Sequence, residues 1–146
     1  MNNIINKISD KIIIKADLTE LDRVRSFIQN ASLSLGFDAI TSNLIALAVE
    51  EACTNLFKHS YNFDKSKEVS ITLSADSKGL EILIEDDGPS FDPTALLPID
   101  AEKIHKNLKK GGLGLFLISK VMDKIYYFPK DNTNIRNRLI LFKNFV

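Results

Sequence analysis

Polar and apolar residues alternate in two short segments on either side of a turn near the middle of this 146-residue chain. The first segment covers residues 69–73 and the second residues 80–84, with Lys78-Gly79 between them. A period of two places the apolar side chains of each strand on one face, so we predict a β-hairpin. The apolar face of such a hairpin requires a covering layer.

Two longer segments before the hairpin have the periodicity of amphipathic helices. Apolar residues recur at steps of three and four in residues 18–35, where Asp17 or Thr19 can cap the start and Gly36 can end the helix. A second helix is predicted from residue 38 to about residue 61. Its apolar residues share one broad face: Ile45, Val49, Cys53, Leu56 and Phe57.

The remaining segments complete an α+β pattern. Residues 4–16 predict an early strand, residues 113–122 a third helix, and residues 125–128 and 139–142 two further strands. We predict one domain over residues 1–146 with a two-layer α/β sandwich, in which helices cover a mixed, mostly antiparallel sheet.

The composition limits the classes of partner. Nineteen basic and nineteen acidic residues cancel, so no global charge draws the chain to nucleic acid or to an anionic membrane. The start M-N-N-I-I-N-K-I is not a signal peptide, and no apolar run approaches the roughly 20 residues of a membrane span. The single cysteine, Cys53, has apolar neighbours and predicts a packed core residue. We expect a cytoplasmic protein with no direct nucleic acid and no membrane among its partners.

A line of polar residues on the second predicted helix is the first candidate site. At 100° per residue, Glu51, Asn55 and Lys58 lie within about 60° of one another around the helix axis. The apolar residues Leu44 and Leu47 lie on the same side of the helix, nearer its start. An asparagine oxygen suits a magnesium ion, and a glutamate can accept a proton or orient a nucleophile. An exposed polar helix face is the alternative interpretation.

The second predicted hairpin strand ends on acidic residues and a sharp turn, Glu85-Asp86-Asp87-Gly88-Pro89. An aspartate at the rim of a sheet can accept a hydrogen bond from an exocyclic amine such as that of adenine. Gly88 allows a flat ring to approach the backbone. The alternative is an acidic turn, since Asp-Gly is a common turn pair.

A glycine-rich segment, K-K-G-G-L-G-L over residues 109–115, leads directly into the third helix. Free backbone N–H groups and the positive end of the helix dipole favour phosphate binding there. A flexible joint is the alternative, although Gly114 inside the first turn costs up to ~1 kcal/mol. The sequence has neither a P-loop nor a complete G-x-G-x-x-G motif, and His59 and His105 do not combine with Cys53 at zinc-ligand spacing.

The three motifs occur in one order: E-A-C-T-N-L-F-K-H, then D-D-G-P-S-F-D-P, then G-G-L-G-L-F-L-I. In this the chain resembles the GHKL ATPase superfamily, and specifically the bacterial anti-sigma-factor serine kinases, from about residue 12 to the C-terminus. The resemblance implies a Bergerat fold, the histidine-kinase-like ATPase fold. It also implies binding of ATP and Mg²⁺ under a mobile lid at about residues 89–112.

The resemblance also implies a role for individual residues. Glu51 matches the general base, Asn55 the magnesium ligand, Asp86 the adenine-binding aspartate and Gly88 the glycine beside it. The phosphate-binding loop is matched by Gly111, Gly112, Leu113 and Gly114.

Two positions depart from the family pattern. Lys110 stands where related kinases carry an arginine that reaches the γ-phosphate, and a lysine keeps the charge without the bidentate geometry. The last strands lack the Gly-Thr pair whose hydroxyl supports the adenine-binding aspartate in the family. Only Asn137 is close in sequence, and that contact stays unassigned.

The resemblance implies protein partners as well. The family phosphorylates a serine of a small STAS-type anti-anti-sigma protein, sequesters a sigma factor, and forms homodimers. Arg23, in D-R-V-R-S-F, matches an arginine used for partner binding. An ATP-binding partner switch with little or no kinase activity is the alternative function. The ATP-binding half of a sensor histidine kinase is disfavoured because no helical pair with a phosphoacceptor histidine precedes residue 12.

Overall fold

A computed structural model describes residues 8–96 and 112–146. These residues contain five strands, which are β1 (Ile8–Lys15), β2 (Glu68–Ala75), β3 (Gly79–Asp86), β4 (Lys124–Phe128) and β5 (Asn137–Asn144). The same described residues contain three α-helices, which are α1 (Leu21–Ser34), α2 (Ala39–His59) and α3 (Gly112–Val121). Short 3₁₀ turns lie at Leu18–Glu20 and Pro93–Leu96.

The five strands form one sheet in the order β1-β2-β3-β5-β4. The predicted two-layer α/β sandwich and the hairpin of β2 and β3 are confirmed. The sheet was predicted to be mixed, and this detail is wrong for the described strands, since all four neighbouring pairs are antiparallel. Strand β5 returns to lie between β3 and β4, which places its first residue beside the last residue of β3.

Local sequence explains where the helices begin and end. Asp17 accepts a hydrogen bond from the Thr19 amide (3.0 Å), and Asp38 accepts one from the Thr41 amide (2.7 Å), so both aspartates cap a helix start. The first predicted helix opens with the 3₁₀ turn before α1 begins. Gly36 has φ of +99°, a conformation that favours glycine and ends α1.

The helices cover one face of the sheet, and the core lies between the two layers. Phe57 of α2 is fully buried there. The strands contribute alternating inward-facing residues, including Ile71, Leu73, Ile82, Ile84, Leu139 and Leu141. Helices α1 and α2 are tied by a bidentate ion pair between Arg25 and Glu50, with N–O distances of 2.7 and 3.1 Å.

Cys53 is fully buried in this core, as predicted. Burial, followed by the negative charge of Glu50, raises the pKa of its thiol to about 12. The thiol is therefore an unreactive packing group. None of the helices in residues 8–96 and 112–146 is long and apolar enough to cross a membrane.

Candidate functional site

A pocket of about 470 Å³, part of it open to solvent, lies between α2, α3 and the end of the sheet. Its walls are mostly apolar. Two of the predicted site residues, Asn55 from α2 and Asp86 from β3, both line it. The other lining residues are Ala52, Leu56, Ser60, Phe91, Pro93, Leu115, Ile118, Ile125, Tyr127 and Leu139. A small number of polar groups in an apolar pocket is typical of a ligand site.

Asp86 is a buried carboxylate in this pocket, with only 3% of its surface exposed. Its Oδ2 accepts hydrogen bonds from the Gly88 amide (3.0 Å) and from Nδ2 of Asn137 (3.2 Å). No described residue donates to Oδ1. Burial raises the pKa of Asp86, and the two hydrogen bonds partly oppose that shift. One carboxylate oxygen is thus fixed by the protein, whereas the other can accept a hydrogen bond from a ligand.

Asn137 is the residue that holds Asp86, and sequence reasoning left this contact unassigned. The two residues are direct partners across β3 and β5. Asn137 is fully buried and also donates to the Gly88 carbonyl (2.8 Å). Its Oδ1 accepts hydrogen bonds from Ser90 Oγ (2.7 Å) and from the Lys130 amide (2.9 Å). One side chain therefore joins the end of β3 to the loops on either side of it.

A pattern in the sequence could have identified Asn137. Leu139 and Leu141 face the core, so the period of two continues inward to residue 137. The predicted strand began at residue 139, whereas β5 begins at Asn137. A buried polar residue at that position requires hydrogen-bond partners, and Asp86 supplies one of them.

Gly88 is required by close packing on the end of α2. A Cβ atom at this position would lie 2.8 Å from the Ser60 carbonyl oxygen and 3.0 Å from Cδ1 of Tyr61. Tyr61 in turn accepts a hydrogen bond from the Asp87 amide (2.8 Å) and donates one to the Glu68 carbonyl (2.7 Å). The space that glycine leaves is therefore occupied by the protein itself, which fixes the turn after Asp86.

The outer side of the same turn is held by cationic side chains that the sequence did not single out. Arg136 donates to Asp87 Oδ1 (3.1 Å) and Ser70 Oγ (3.0 Å). The Lys130 ammonium donates to the Asp87 carbonyl (2.9 Å). Tyr127 accepts a hydrogen bond from the Phe91 amide (3.0 Å) at the pocket wall. These contacts order the segment that leads away from Asp86.

Glu51 lies one helical turn before Asn55 on α2, and both are partly buried. Glu51 does not line the pocket itself. Its carboxylate lies against Gly114 of α3, where an added Cβ would overlap Glu51 Oε2 and lie 3.3 Å from Cδ. Burial, followed by the charge of Glu50, raises the pKa of Glu51. No described residue donates a hydrogen bond to this carboxylate, which is held by packing.

The start of α3 lies beside Glu51 and the pocket. The helix begins at Gly112, so Gly112, Leu113 and Gly114 form its first turn, and Leu115 lines the pocket. Backbone N–H groups in a first helical turn have no partner within the helix. Lys110 and Gly111, which were also predicted to contact phosphate, lie outside the described residues.

The described residues contain no cluster of three or more His, Cys, Asp and Glu side chains that could hold a metal ion. Asn55 nevertheless offers a neutral hard oxygen at the pocket wall. Magnesium in nucleotide sites commonly takes one or two protein ligands and fills its remaining positions with phosphate oxygens and water. The donor set fits such a shared ion and does not fit an ion held by protein alone.

The remaining predicted residues lie on or near the helices. Arg23 of α1 is exposed and donates to the Ile13 carbonyl (3.2 Å) and to Glu20 (3.3 Å), away from the pocket. His59, at the end of α2, stacks on Phe91 with ring centroids 4.3 Å apart. Burial, followed by the charge of Lys58, lowers the pKa of His59. The histidine therefore packs against a residue of the pocket wall.

Comparisons with known proteins give the family of the chain. The family model described as "Histidine kinase-like ATPase domain" matches residues 14–142. A serine-protein kinase RsbW from Halalkalibacterium halodurans is 41% identical over 106 residues, which are 70% of this chain and 64% of the relative. The same-named protein of Bacillus subtilis is 33% identical over 70% of this chain and 66% of its own length. That of Bacillus thuringiensis is 34% identical over 82% of this chain and 75% of its own length.

The matches to the first two relatives thus span slightly less than two thirds of those proteins. The family match covers nearly the whole chain, including α2, the end of β3 and the start of α3. The chain therefore belongs to the histidine kinase-like ATPase domain family, and it is similar to proteins named serine-protein kinase RsbW.

Proposed function

We propose that this protein binds Mg²⁺-ATP, transfers the γ-phosphate to a serine of a small STAS-type anti-anti-sigma protein, and binds a sigma factor until that partner displaces it. The observation that carries the proposal is the pairing of two adjacent sites. Asn55 and Asp86 line one apolar pocket, and Glu51 lies against the first turn of α3 one helical turn away. Curated relatives that are named serine-protein kinases support this assignment.

The adenine ring would occupy the pocket with its exocyclic amine on Asp86 Oδ1. Asp86 Oδ2 is already bound by Gly88 and Asn137, so the free oxygen has a fixed position. An ionised carboxylate accepts hydrogen bonds and does not donate them. The site therefore favours an amine at this position of the base over a carbonyl oxygen.

The phosphates would extend from the pocket along Asn55 towards the first turn of α3. Gly112, Leu113 and Gly114 would present backbone N–H groups there, and the helix dipole favours an anion at this end. Asn55 would hold the magnesium ion together with phosphate oxygens and water. When bound, the ion neutralises charge on the phosphates. Lys110 and Gly111 belong to the same proposal because they match the family's phosphate loop.

Glu51 would orient the acceptor serine and take its proton. The serine oxygen forms a bond to the γ-phosphorus, the bond from that phosphorus to the bridging oxygen breaks, and ADP leaves with the bond's electron pair. A general base contributes about 10²- to 10⁴-fold to such a step. Most of the remaining acceleration comes from positioning and charge neutralisation.

Arg23 is the proposed contact for the protein partners. Its side chain is 56% exposed, and Glu20 is its ion-pair partner in the free chain. Exposed pairs of this kind contribute little to stability, so an acidic group on a partner can replace Glu20 at low cost. We also propose a homodimer, as the resemblance implies.

A partner switch that binds ATP without kinase activity is the second candidate. Lys110 favours it because lysine lacks the bidentate geometry of the family's arginine. Incubation with γ-labelled ATP and STAS-type anti-anti-sigma proteins separates the two functions. Phosphoserine on one of these proteins, found by mass spectrometry and lost in Glu51→Gln, is the expected result. Tight ATP binding with no labelled protein would rule out the kinase.

A further inference from the structure

Three large apolar side chains on the outer face of α2 are exposed to solvent. The exposed fraction is 75% for Ile40, 40% for Leu44 and 40% for Leu47. Other apolar residues of the same helix, such as Ile45 and Val49, are completely buried against the sheet. We call Ile40, Leu44 and Leu47 the α2 stripe. Contiguous apolar surface of this kind marks interaction sites more often than scattered apolar residues do.

The α2 stripe leads directly to Glu51. At 100° per residue, Ile40, Leu44 and Leu47 all lie within about 40° of Glu51 around the helix axis. At 1.5 Å per residue, they lie about 16, 10 and 6 Å before it along the axis. Glu51 is therefore the polar end of an apolar line on one helix.

The direction of phosphate transfer gives the stripe a role. The proposed nucleotide site lies on the C-terminal side of Glu51, because Asn55 and Asp86 line the pocket there. Phosphoryl transfer needs the attacking and leaving oxygens roughly in line on opposite sides of the phosphorus. The acceptor oxygen must then approach from the other side, over the N-terminal half of α2. That half carries the stripe.

We propose that the α2 stripe is the surface on which the acceptor protein docks when it presents its serine to Glu51. The inference rests on the proposed kinase function and specifies how the partner is bound. A standard protein interface buries about 800 Å² on each partner, which corresponds to a patch about 16 Å in radius. A patch of this size centred on Glu51 reaches Ile40. The expected partner is a folded protein whose serine is flanked by exposed apolar side chains.

Where the stripe meets α1 its border is polar, as at the rim of a protein interface. On the α1 side, Gln29 donates a hydrogen bond to Asn43, and Arg25 forms its bidentate pair with Glu50. Interfaces commonly have an apolar centre inside such a polar rim. The stripe therefore suits a partner that buries apolar surface at its centre and makes polar contacts with these side chains at its edge.

The test measures steady-state transfer from ATP to the STAS-type anti-anti-sigma protein that the unaltered chain phosphorylates. Leu47→Asp, Leu44→Asp and Ile40→Asp are compared with Ile135→Asp, since Ile135 is 83% exposed and lies in the loop before β5. The stripe variants are expected to raise the KM for the acceptor protein at least about tenfold, with ATP affinity unchanged. Ile135→Asp should stay within about twofold of the unaltered chain. Ile40→Ser, at the most exposed position, is a milder variant that keeps the test valid if an aspartate disturbs folding.

Three results would overturn the inference. An unchanged acceptor KM in all the stripe variants would show that the partner docks elsewhere. An equal rise in Ile135→Asp would show a nonspecific charge effect. Loss of a homodimer in the stripe variants by sedimentation equilibrium, with an unchanged acceptor KM for the remaining monomer, would assign the stripe to a second copy of the chain. By contrast, if the unaltered chain phosphorylates no such protein, the proposed function itself fails.

Discussion

The two ends of the candidate site are held in different ways. At the Asp86 end, a fully buried asparagine makes four hydrogen bonds, and one of them fixes a carboxylate oxygen. At the Glu51 end, no described residue donates a hydrogen bond to the carboxylate, which lies against Gly114 without room for a Cβ. The Asp86 end is thus held by a hydrogen-bond network, and the Glu51 end is held by close packing against α3.

This difference corresponds to the two tasks in the proposed function. Base recognition gains from a rigid acceptor, because a network that is already formed costs no reorganisation when the ligand binds. A general base must change its hydrogen-bond partner during the reaction. A carboxylate to which no described residue donates a hydrogen bond, such as that of Glu51, suits this role. Mutations at the two ends should therefore separate nucleotide binding from transfer.

The largest effect is expected for Glu51→Gln. The amide keeps the shape beside Gly114 but cannot take the serine proton, so the transfer rate should fall by about 10²- to 10⁴-fold. ATP affinity should stay within about threefold of the unaltered chain, as measured by calorimetry.

Glu50→Gln is the matched control, since it makes the same change one residue earlier in a carboxylate that is bound to Arg25. Transfer at neutral pH should stay within about threefold. Equal losses in the two variants would contradict the assignment of the base to Glu51.

The next largest effect is expected for Asp86→Asn. Loss of a hydrogen bond to a charged acceptor should weaken ATP binding by about 10- to 100-fold. Because burial raises the pKa of Asp86 above its ordinary value of 3.8, the ionised form is disfavoured in the folded state. Ionisation of Asp86 therefore lowers the folding stability as pH rises above 3.8. Asp86→Asn keeps this position neutral, so the thermal midpoint of the nucleotide-free protein should not fall. A clear fall in the midpoint with unchanged ATP affinity would give Asp86 a structural role only.

The sequence predicted the fold and the placement of Asp86 well, because both follow from local periodicity. Alternation in β2 and β3 and the capping residues Asp17 and Asp38 act within a few positions of where they appear. Asp86 and Asn137 are 51 residues apart in the chain, and their pairing depends on the return of β5 to a position beside β3. The composition of a single segment does not specify which strand becomes its neighbour.

Gly114 shows the same limit at the other end of the site. The sequence predicts a phosphate-binding role for Gly114. In the structure, Glu51 also packs where a Cβ atom of residue 114 would lie. This requirement arises from the separation of α2 and α3, which depends on the packed core between helices and sheet. The spacing of residues along the sequence does not specify the distance between α2 and α3.

A smaller effect is expected for Asn137→Ala, which removes the network at the Asp86 end. The Lys130 amide and the Gly88 carbonyl would lose their partner. The free energy of unfolding should fall by about 1–3 kcal/mol, as measured by denaturant titration. ATP affinity should fall as well, and the fall should largely disappear in an Asp86→Asn background because the two residues act as one unit. Additive losses in the double variant would contradict that coupling.

The smallest effect is expected in the pH dependence of transfer at saturating ATP. Burial and the charge of Glu50 raise the pKa of Glu51 above 4.5, so the unprotonated base should be lost on acidification at a higher pH than for an exposed glutamate. Glu50→Gln removes the neighbouring charge and should move this acidic limb to lower pH. A shift in the opposite direction would contradict the proposed electrostatic coupling.

The central claim is that the pocket holds the adenine base on Asp86. Isothermal titration of the unaltered chain with Mg²⁺-ATP and with Mg²⁺-ITP tests it directly, since inosine carries a carbonyl oxygen in place of the exocyclic amine. We expect one ATP per chain and at least about tenfold weaker binding of ITP, consistent with the loss of one hydrogen bond to a charged group. Equal affinity for the two nucleotides, or no binding of ATP, would contradict the account.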